Sequence, residues 1–187
     1  MSDHPALDPG DPAMEAASRD RWLKLKPGDR FIDVGACRGS WSLPALAMGA
    51  SVVAFEPTPE VALLEGSARR YGLSQNLIVR REWIGDGVHP ENSFTLDALL
   101  LGTTPPDFIK IDVEGWEMEV LRGASTLLHR YRPRLMIEVH TNAVPGRKVQ
   151  VSDVKEFLDG LCLGYVYEES PSPADGWYVH LYCEVPK

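Results

Sequence analysis

From Arg30 onward, short apolar runs of β type alternate with segments of helical character, and this alternation constrains the fold more than any other feature of the chain. Strands are expected at 30–35, 51–56, 76–82, 107–112, 134–140, 163–168 and 177–183, with helices at 40–48, 60–72, 116–130 and 152–159. Parallel neighbours need a crossover of about a dozen residues or more, which the helical segments supply. The last two runs differ. Only Glu169-Ser170-Pro171-Ser172-Pro173-Ala174-Asp175-Gly176 lies between them, too short for a crossover helix, so they are expected to form an antiparallel hairpin. The fold class is therefore α/β: a doubly wound, mostly parallel seven-stranded sheet with an antiparallel C-terminal hairpin.

With 187 residues, the chain suits one domain, assigned to residues 21–187. Residues 1–20 hold four Asp and three Pro with little apolar periodicity, and read as a flexible, solvated arm with at most a short helix over Ala13 to Arg19. Trp116, Val120, Ala124, Leu127, Leu128 and Tyr131 mark one buried helical face, in which Gly123 is a candidate break.

Charge narrows the partners. Lys and Arg total 19 against 27 Asp and Glu, and the net charge of -8 repels polyanions, so nucleic acid is not an expected partner. Arg130, Arg132 and Arg134 form the one basic cluster, better explained as cations at a helix C-terminus than as an RNA platform. No apolar stretch approaches the ~20 residues of a membrane span. Three cysteines, Cys37, Cys162 and Cys183, follow a start without a basic and apolar leader, which points to free thiols and a cytoplasmic location.

The chemistry concentrates at the ends of the expected strands, where open α/β sheets bind ligands. Phe31-Ile32-Asp33-Val34-Gly35-Ala36-Cys37-Arg38-Gly39-Ser40 is a buried strand entering a glycine turn and then a helix. A dinucleotide fingerprint starting at Gly35 would want glycines at 37 and 40, where Cys37 and Ser40 stand, and the Gly-Lys-Ser/Thr ending of a P-loop is missing. What remains suits a loop wrapping a small zwitterion whose amine needs a carboxylate. The second strand ends in Glu56, 21 residues after Gly35, placed to accept hydrogen bonds from both ribose hydroxyls, with Pro57 shaping the next turn.

Farther along, Asp112 and Glu114 close the fourth strand and His140 closes the fifth. Each is a candidate proton acceptor beside the same crevice. Glu117 and Glu119 are assigned to the helix dipole. Lys110, alone among apolar strand neighbours, must pair with an acid or snorkel.

These segments together resemble the FkbM-type family of S-adenosylmethionine-dependent methyltransferases. The resemblance is carried by Asp33-Val34-Gly35-Ala36 with Gly39, by Val53-Ala54-Phe55-Glu56-Pro57, and by Thr95-Leu96-Asp97. The most specific block, Ile109-Lys110-Ile111-Asp112-Val113-Glu114-Gly115, is followed by Val120-Leu121-Arg122-Gly123-Ala124, Arg132-Pro133 and Glu138-Val139-His140. It implies a Rossmann-like class I methyltransferase fold, S-adenosylmethionine as cofactor, and a cofactor site of Asp33, Gly35, Ala36, Gly39, Ser40, Glu56, Pro57, Trp83 and Ile84. The loop from Gly35 to Gly39 would wrap the methionine part, Glu56 the ribose, and Glu82 to Asp86 the adenine, with Trp83 where the family commonly has a small residue.

The expected activity is O-methylation of a small molecule or glycan, with Asp112, Glu114 or His140 as base. One rival is a metal-assisted methyltransferase using Asp112, Glu138 and His140, with Asn142 as a further ligand, although no compact ligand motif supports a metal. Another is a silent methyltransferase-like subunit of an assembly. Trp41, Trp83 and Trp177 are candidates for the core or for a homodimer surface.

Overall fold

In the computed structural model, the described residues are 12–141, 149–170 and 177–186. Seven strands form a single sheet in the order β3-β2-β1-β4-β5-β7-β6. They are β1 (Arg30–Val34), β2 (Ser51–Phe55), β3 (Leu77–Arg80), β4 (Phe108–Ile111), β5 (Arg134–His140), β6 (Val166–Glu169) and β7 (Tyr178–Glu184). The first five run parallel, and β7 pairs antiparallel with both β5 and β6. Chain order reverses between β1 and β4, which creates the switch point at which such sheets open a crevice.

Alternation along the strands divides the core between two faces. Ile32, Val34, Ile109, Ile111, Ile137 and Val139 join Leu121, Leu127, Val154 and Leu158 on one side. These contacts bring in α5 (Glu117–Arg122), α6 (Ser125–Tyr131) and α7 (Val151–Gly160), while Leu96 and Leu100 add α4 (Leu96–Leu100). Phe31, Val52, Phe108 and Met136 face the other way, against Trp22, Trp41, Leu46 and Leu64 from α1 (Pro12–Trp22), α2 (Ser42–Ala47) and α3 (Val61–Arg70). No helix among the described residues is long and apolar enough to cross a membrane.

Three local features depart from the sequence reading or refine it. The helical segment at 116–130 is divided at Gly123 into α5 and α6. Gly123 has no positive φ; a Cβ there would lie 2.0 Å from the Gly85 carbonyl oxygen, so it is space that demands glycine. The short α4 was not read, and it is started by Thr95, whose hydroxyl accepts from the Ala98 amide.

The boundary expected at 20/21 falls inside α1. This helix is anchored rather than solvated: Ser18 and Trp22 are buried, and Trp22 stacks on Tyr182 with ring centroids 5.7 Å apart. An apolar sheet face left open by the helices that follow gives α1 its docking surface.

Candidate active site

The glycine turn after β1 is fixed from three directions. Gly35 adopts φ +79°, and a Cβ there would lie 1.7 Å from the Asp112 carbonyl oxygen, so only glycine lets the turn pass the end of β4. The Gly35 carbonyl accepts from the Lys110 ammonium at 2.8 Å. At the far end of the turn, Arg38 pairs with Glu60 at 2.6 Å. Ala36 and Gly39 are buried, whereas Ser40 is exposed and its carbonyl accepts from Arg19 of α1.

Glu56 stands at the end of β2, against this turn. One carboxylate oxygen accepts from the Cys37 amide at 2.9 Å and the other from the Thr58 amide at 2.8 Å. Each oxygen keeps acceptor capacity for a ligand hydroxyl. Pro57 follows, half-buried. Beyond β3, Ile84 is buried while Trp83 is 51% exposed, leaving a broad aromatic surface at the rim. Trp177 is also partly exposed, and Trp41 belongs to the core.

Asp33 plays a different part from a free carboxylate offered to an amine. It is fully buried, accepts from the Ser42 hydroxyl at 2.6 Å, and lies 3.5 Å from the Lys110 ammonium on the adjacent strand. Lys110 is thereby the acid-paired alternative of the two expected from the sequence: it also reaches Asp112 at 2.9 Å. Burial opposes its charge, but Asp112 and Asp33 more than compensate and hold its pKa above the ordinary lysine range.

The register explains the rest of the site. Asp33 pairs with Lys110, Lys110 with Met136, and Glu138 with His180. Period-two alternation therefore puts Asp33, Lys110, Asp112, Glu138, His140 and His180 on one sheet face at the carboxyl end of the parallel strands. Asp112, Glu114 and His140 are brought together, with ligand-capable atoms all within 4.8 Å of one another. His140 Nδ1 donates to Glu117 at 2.7 Å. Its Nε2 lies 3.3 Å from Glu114, 3.4 Å from Glu138 and 3.8 Å from Asp112. Asn142, the remaining residue of the metal reading, lies outside the described residues.

Electrostatics sort these groups. Burial disfavours charge on His140, yet contacts with Glu117 and Glu138 and the field of Asp112 push its pKa up to about 11, so the imidazole holds its proton at neutral pH. Asp112 moves the other way from its usual state: burial and the Glu138 charge, resisted by Lys110 and His140, push it up to about 7. Glu114 is raised, first by burial. In Glu138, burial is outweighed by hydrogen bonds from His140 and His180, which keep it ionised well below the carboxylate range.

Two contributors escaped the sequence reading. Glu117, assigned to the helix dipole, is fully buried and accepts from both His140 and the Gly115 amide. The signal was there, since Glu117 falls three and four residues before Val120 and Leu121 on the buried stripe. His180, left unassigned, lies 2.8 Å from Glu138 through Nε2 and 2.6 Å from the Ser18 hydroxyl through Nδ1. Only the three-dimensional packing of α1 on β7 brings Ser18 there.

A separate cleft of about 310 Å³ opens at the other end of the strands, lined by Lys24, Asp107, Arg134 and Glu184 among others. It has neither the glycine turn nor the strand-end acids, so the functional crevice is assigned to the carboxyl edge.

Residues 85–167 match the family model of the methyltransferase FkbM domain. This stretch, less than half of the chain, is similar to the FkbM family. It includes the FkbM-type block from Ile109 to Gly115 and the strand ending in His140. Among solved structures, the chain is similar to a methyltransferase FkbM from Methylobacillus flagellatus (TM-score 0.73, 21% identity), covering 88% of this chain and 46% of that one. The chain thus spans less than half the length of that structure. It is also similar to magnesium protoporphyrin IX methyltransferase from Synechocystis (TM-score 0.63, 17% identity, 94% and 83% covered). A third likeness is an rRNA methylase from Streptococcus thermophilus (TM-score 0.63, 14% identity, 91% and 95% covered). No curated protein matches the sequence. The chain shares its fold with these methyltransferases, two of which are named for unlike acceptors.

Proposed function

We propose that this chain is an S-adenosylmethionine-dependent methyltransferase acting on a hydroxyl of a small molecule or glycan. The observation that carries the reading is the pairing of the glycine turn with Glu56, whose carboxylate grips the turn through the Cys37 amide. The residues fit the cofactor. A Cβ at Gly35 would collide with the Asp112 carbonyl just past β4, and one at Gly39 would lie 2.6 Å from Leu64, so glycine at both positions lets the turn pack close beside the Glu56 carboxylate, whose oxygens keep acceptor capacity for ligand hydroxyls. Gly35 to Gly39 would hold the methionine part, Glu56 and Pro57 the ribose, and Trp83 and Ile84 the base. Structures of magnesium protoporphyrin IX methyltransferase with bound S-adenosylmethionine and S-adenosylhomocysteine, on the same fold, support the choice of ligand.

When bound, S-adenosylmethionine supplies a methyl carbon already activated by its sulfonium. The protein has to align an acceptor oxygen and deal with its proton. His140 already holds a proton, so it orients neighbouring carboxylates instead of accepting another. Asp112, with a quarter of its side chain open to the crevice and a pKa near the working pH, and Glu114, which is 56% exposed, are the groups placed to take the hydroxyl proton. Asp33 positions rather than binds, by holding Lys110 and through it the turn. The net charge of -8 supports a small acceptor over nucleic acid.

Calorimetric titration of the full chain with S-adenosylmethionine and S-adenosylhomocysteine tests the reading, with Glu56→Gln as control and its melting temperature checked. Micromolar binding weakened at least tenfold by Glu56→Gln supports it. Failure of the wild-type chain to bind either ligand overturns it.

A further inference from the structure

We propose that Asp112, Glu114 and His140 form a binding site for one divalent cation of the Mn²⁺ type, with Glu117 fixing the imidazole from behind. The role given to the ion rests on the methyltransferase reading; its binding does not.

Spacing comes first. His140 Nε2 lies 3.3 Å from a Glu114 oxygen and 3.8 Å from an Asp112 oxygen, with a Glu138 oxygen at 3.4 Å. Direct charge-assisted hydrogen bonds from N–H to carboxylate are shorter, about 2.7–2.9 Å. Ligands held on one ion by bonds of ~2.1 Å are separated by ~3.0 Å at right angles and ~3.4 Å at tetrahedral angles, so these atoms need only small shifts to share a cation.

The second observation is the anchoring of the histidine. Its Nδ1 donates to Glu117, which leaves Nε2 directed at the carboxylates; the ion would displace the Nε2 proton on binding, and a carboxylate behind a ligating imidazole is the usual outer partner of a metal-bound histidine. Glu117 is fully buried, and its other oxygen, Oε2, has no hydrogen-bond partner among the described residues. The carboxylates of Asp112, Glu114, Glu117 and Glu138 converge here around Lys110, His140 and His180. A divalent ion would offset that surplus of negative charge.

The ligand types select the ion. Two carboxylates and one imidazole suit a borderline-hard divalent metal better than a soft one. Three protein ligands leave open positions, and because Glu114 is 56% exposed, those positions face the crevice in which the acceptor would lie. The ion would hold an acceptor hydroxyl oxygen and lower its pKa, so that with the ion bound Asp112 and Glu114 act as ligands instead of bases and the hydroxyl proton leaves to water in the open crevice.

Mn²⁺ alone, titrated into chelator-treated full chain and followed by calorimetry and electron paramagnetic resonance, tests the site. One equivalent should bind with micromolar to submicromolar affinity. Glu114→Gln, at a partly exposed position that leaves the core intact, should weaken binding at least tenfold, and Glu117→Gln about 10- to 100-fold through the imidazole. No binding to the wild-type chain, or binding unchanged in both variants, overturns the proposal. S-adenosylhomocysteine titration of the same samples separates the two readings: binding of that ligand without Mn²⁺ binding removes the cation site alone, and Mn²⁺ binding without it removes the methyltransferase reading alone.

Discussion

The Lys110 ammonium lies 3.5 Å from the Asp33 carboxylate on the neighbouring strand, and both side chains are almost wholly out of water, at 3% and 1% exposure. Such a pair contributes little net stability compared with well-packed apolar residues, but losing one partner leaves a buried charge uncompensated. Lys110→Met should therefore destabilise the fold by about 3–5 kcal/mol in urea unfolding. Lys110→Met with Asp33→Asn should be less destabilised than the sum of the single changes, which a double-mutant cycle would read.

Gly35→Ala should fail more completely than an ordinary loop substitution. The added methyl would meet backbone, the Asp112 carbonyl oxygen at 1.7 Å, at a φ of +79° that alanine resists. Soluble yield and melting temperature should fall sharply. Gly28→Ala is the contrast, since φ is +89° there but nothing lies within 4 Å, so only the backbone cost of about 1 kcal/mol applies.

Cys37 sits in the glycine turn and is exposed, yet it should be a slow nucleophile. Partial burial and its hydrogen bond to Glu60 push the thiol up to about 11. Because the thiolate is the reactive form, alkylation by iodoacetamide should be slow at pH 8 and rise with pH toward 11. Glu60→Gln, which removes the negative neighbour, should speed the reaction at pH 8.

Removing residues 1–22 should destabilise the domain, in contrast to trimming a free arm. The deletion strips Trp22 from Tyr182 and Ser18 from His180. Burial of one large aromatic alone is worth about 3 kcal/mol, so a clear fall in melting temperature is expected. Ser18→Ala isolates the smaller part, about 1 kcal/mol from one buried hydrogen bond.

The strands, their parallel pairing and the closing hairpin were legible because alternation and connection length are local properties of the chain. The strand-end acids and His140 were legible for the same reason, since period two fixes which residues share a face. Lys110 was ambiguous until Asp33 was known to be its register partner. Glu117 was misread because a helix-dipole role explained it adequately without looking at the buried stripe. The contact of Ser18 with His180 spans 162 positions of sequence and carries no local pattern at all.

The glycine turn is held by Lys110 at Gly35, by Glu56 at Cys37 and by Glu60 at Arg38. Its conformational entropy is therefore lost when the chain folds and need not be lost again when a ligand arrives. Affinity at this end of the crevice and stability of the sheet then depend on the same few side chains, and drift in one would show in the other.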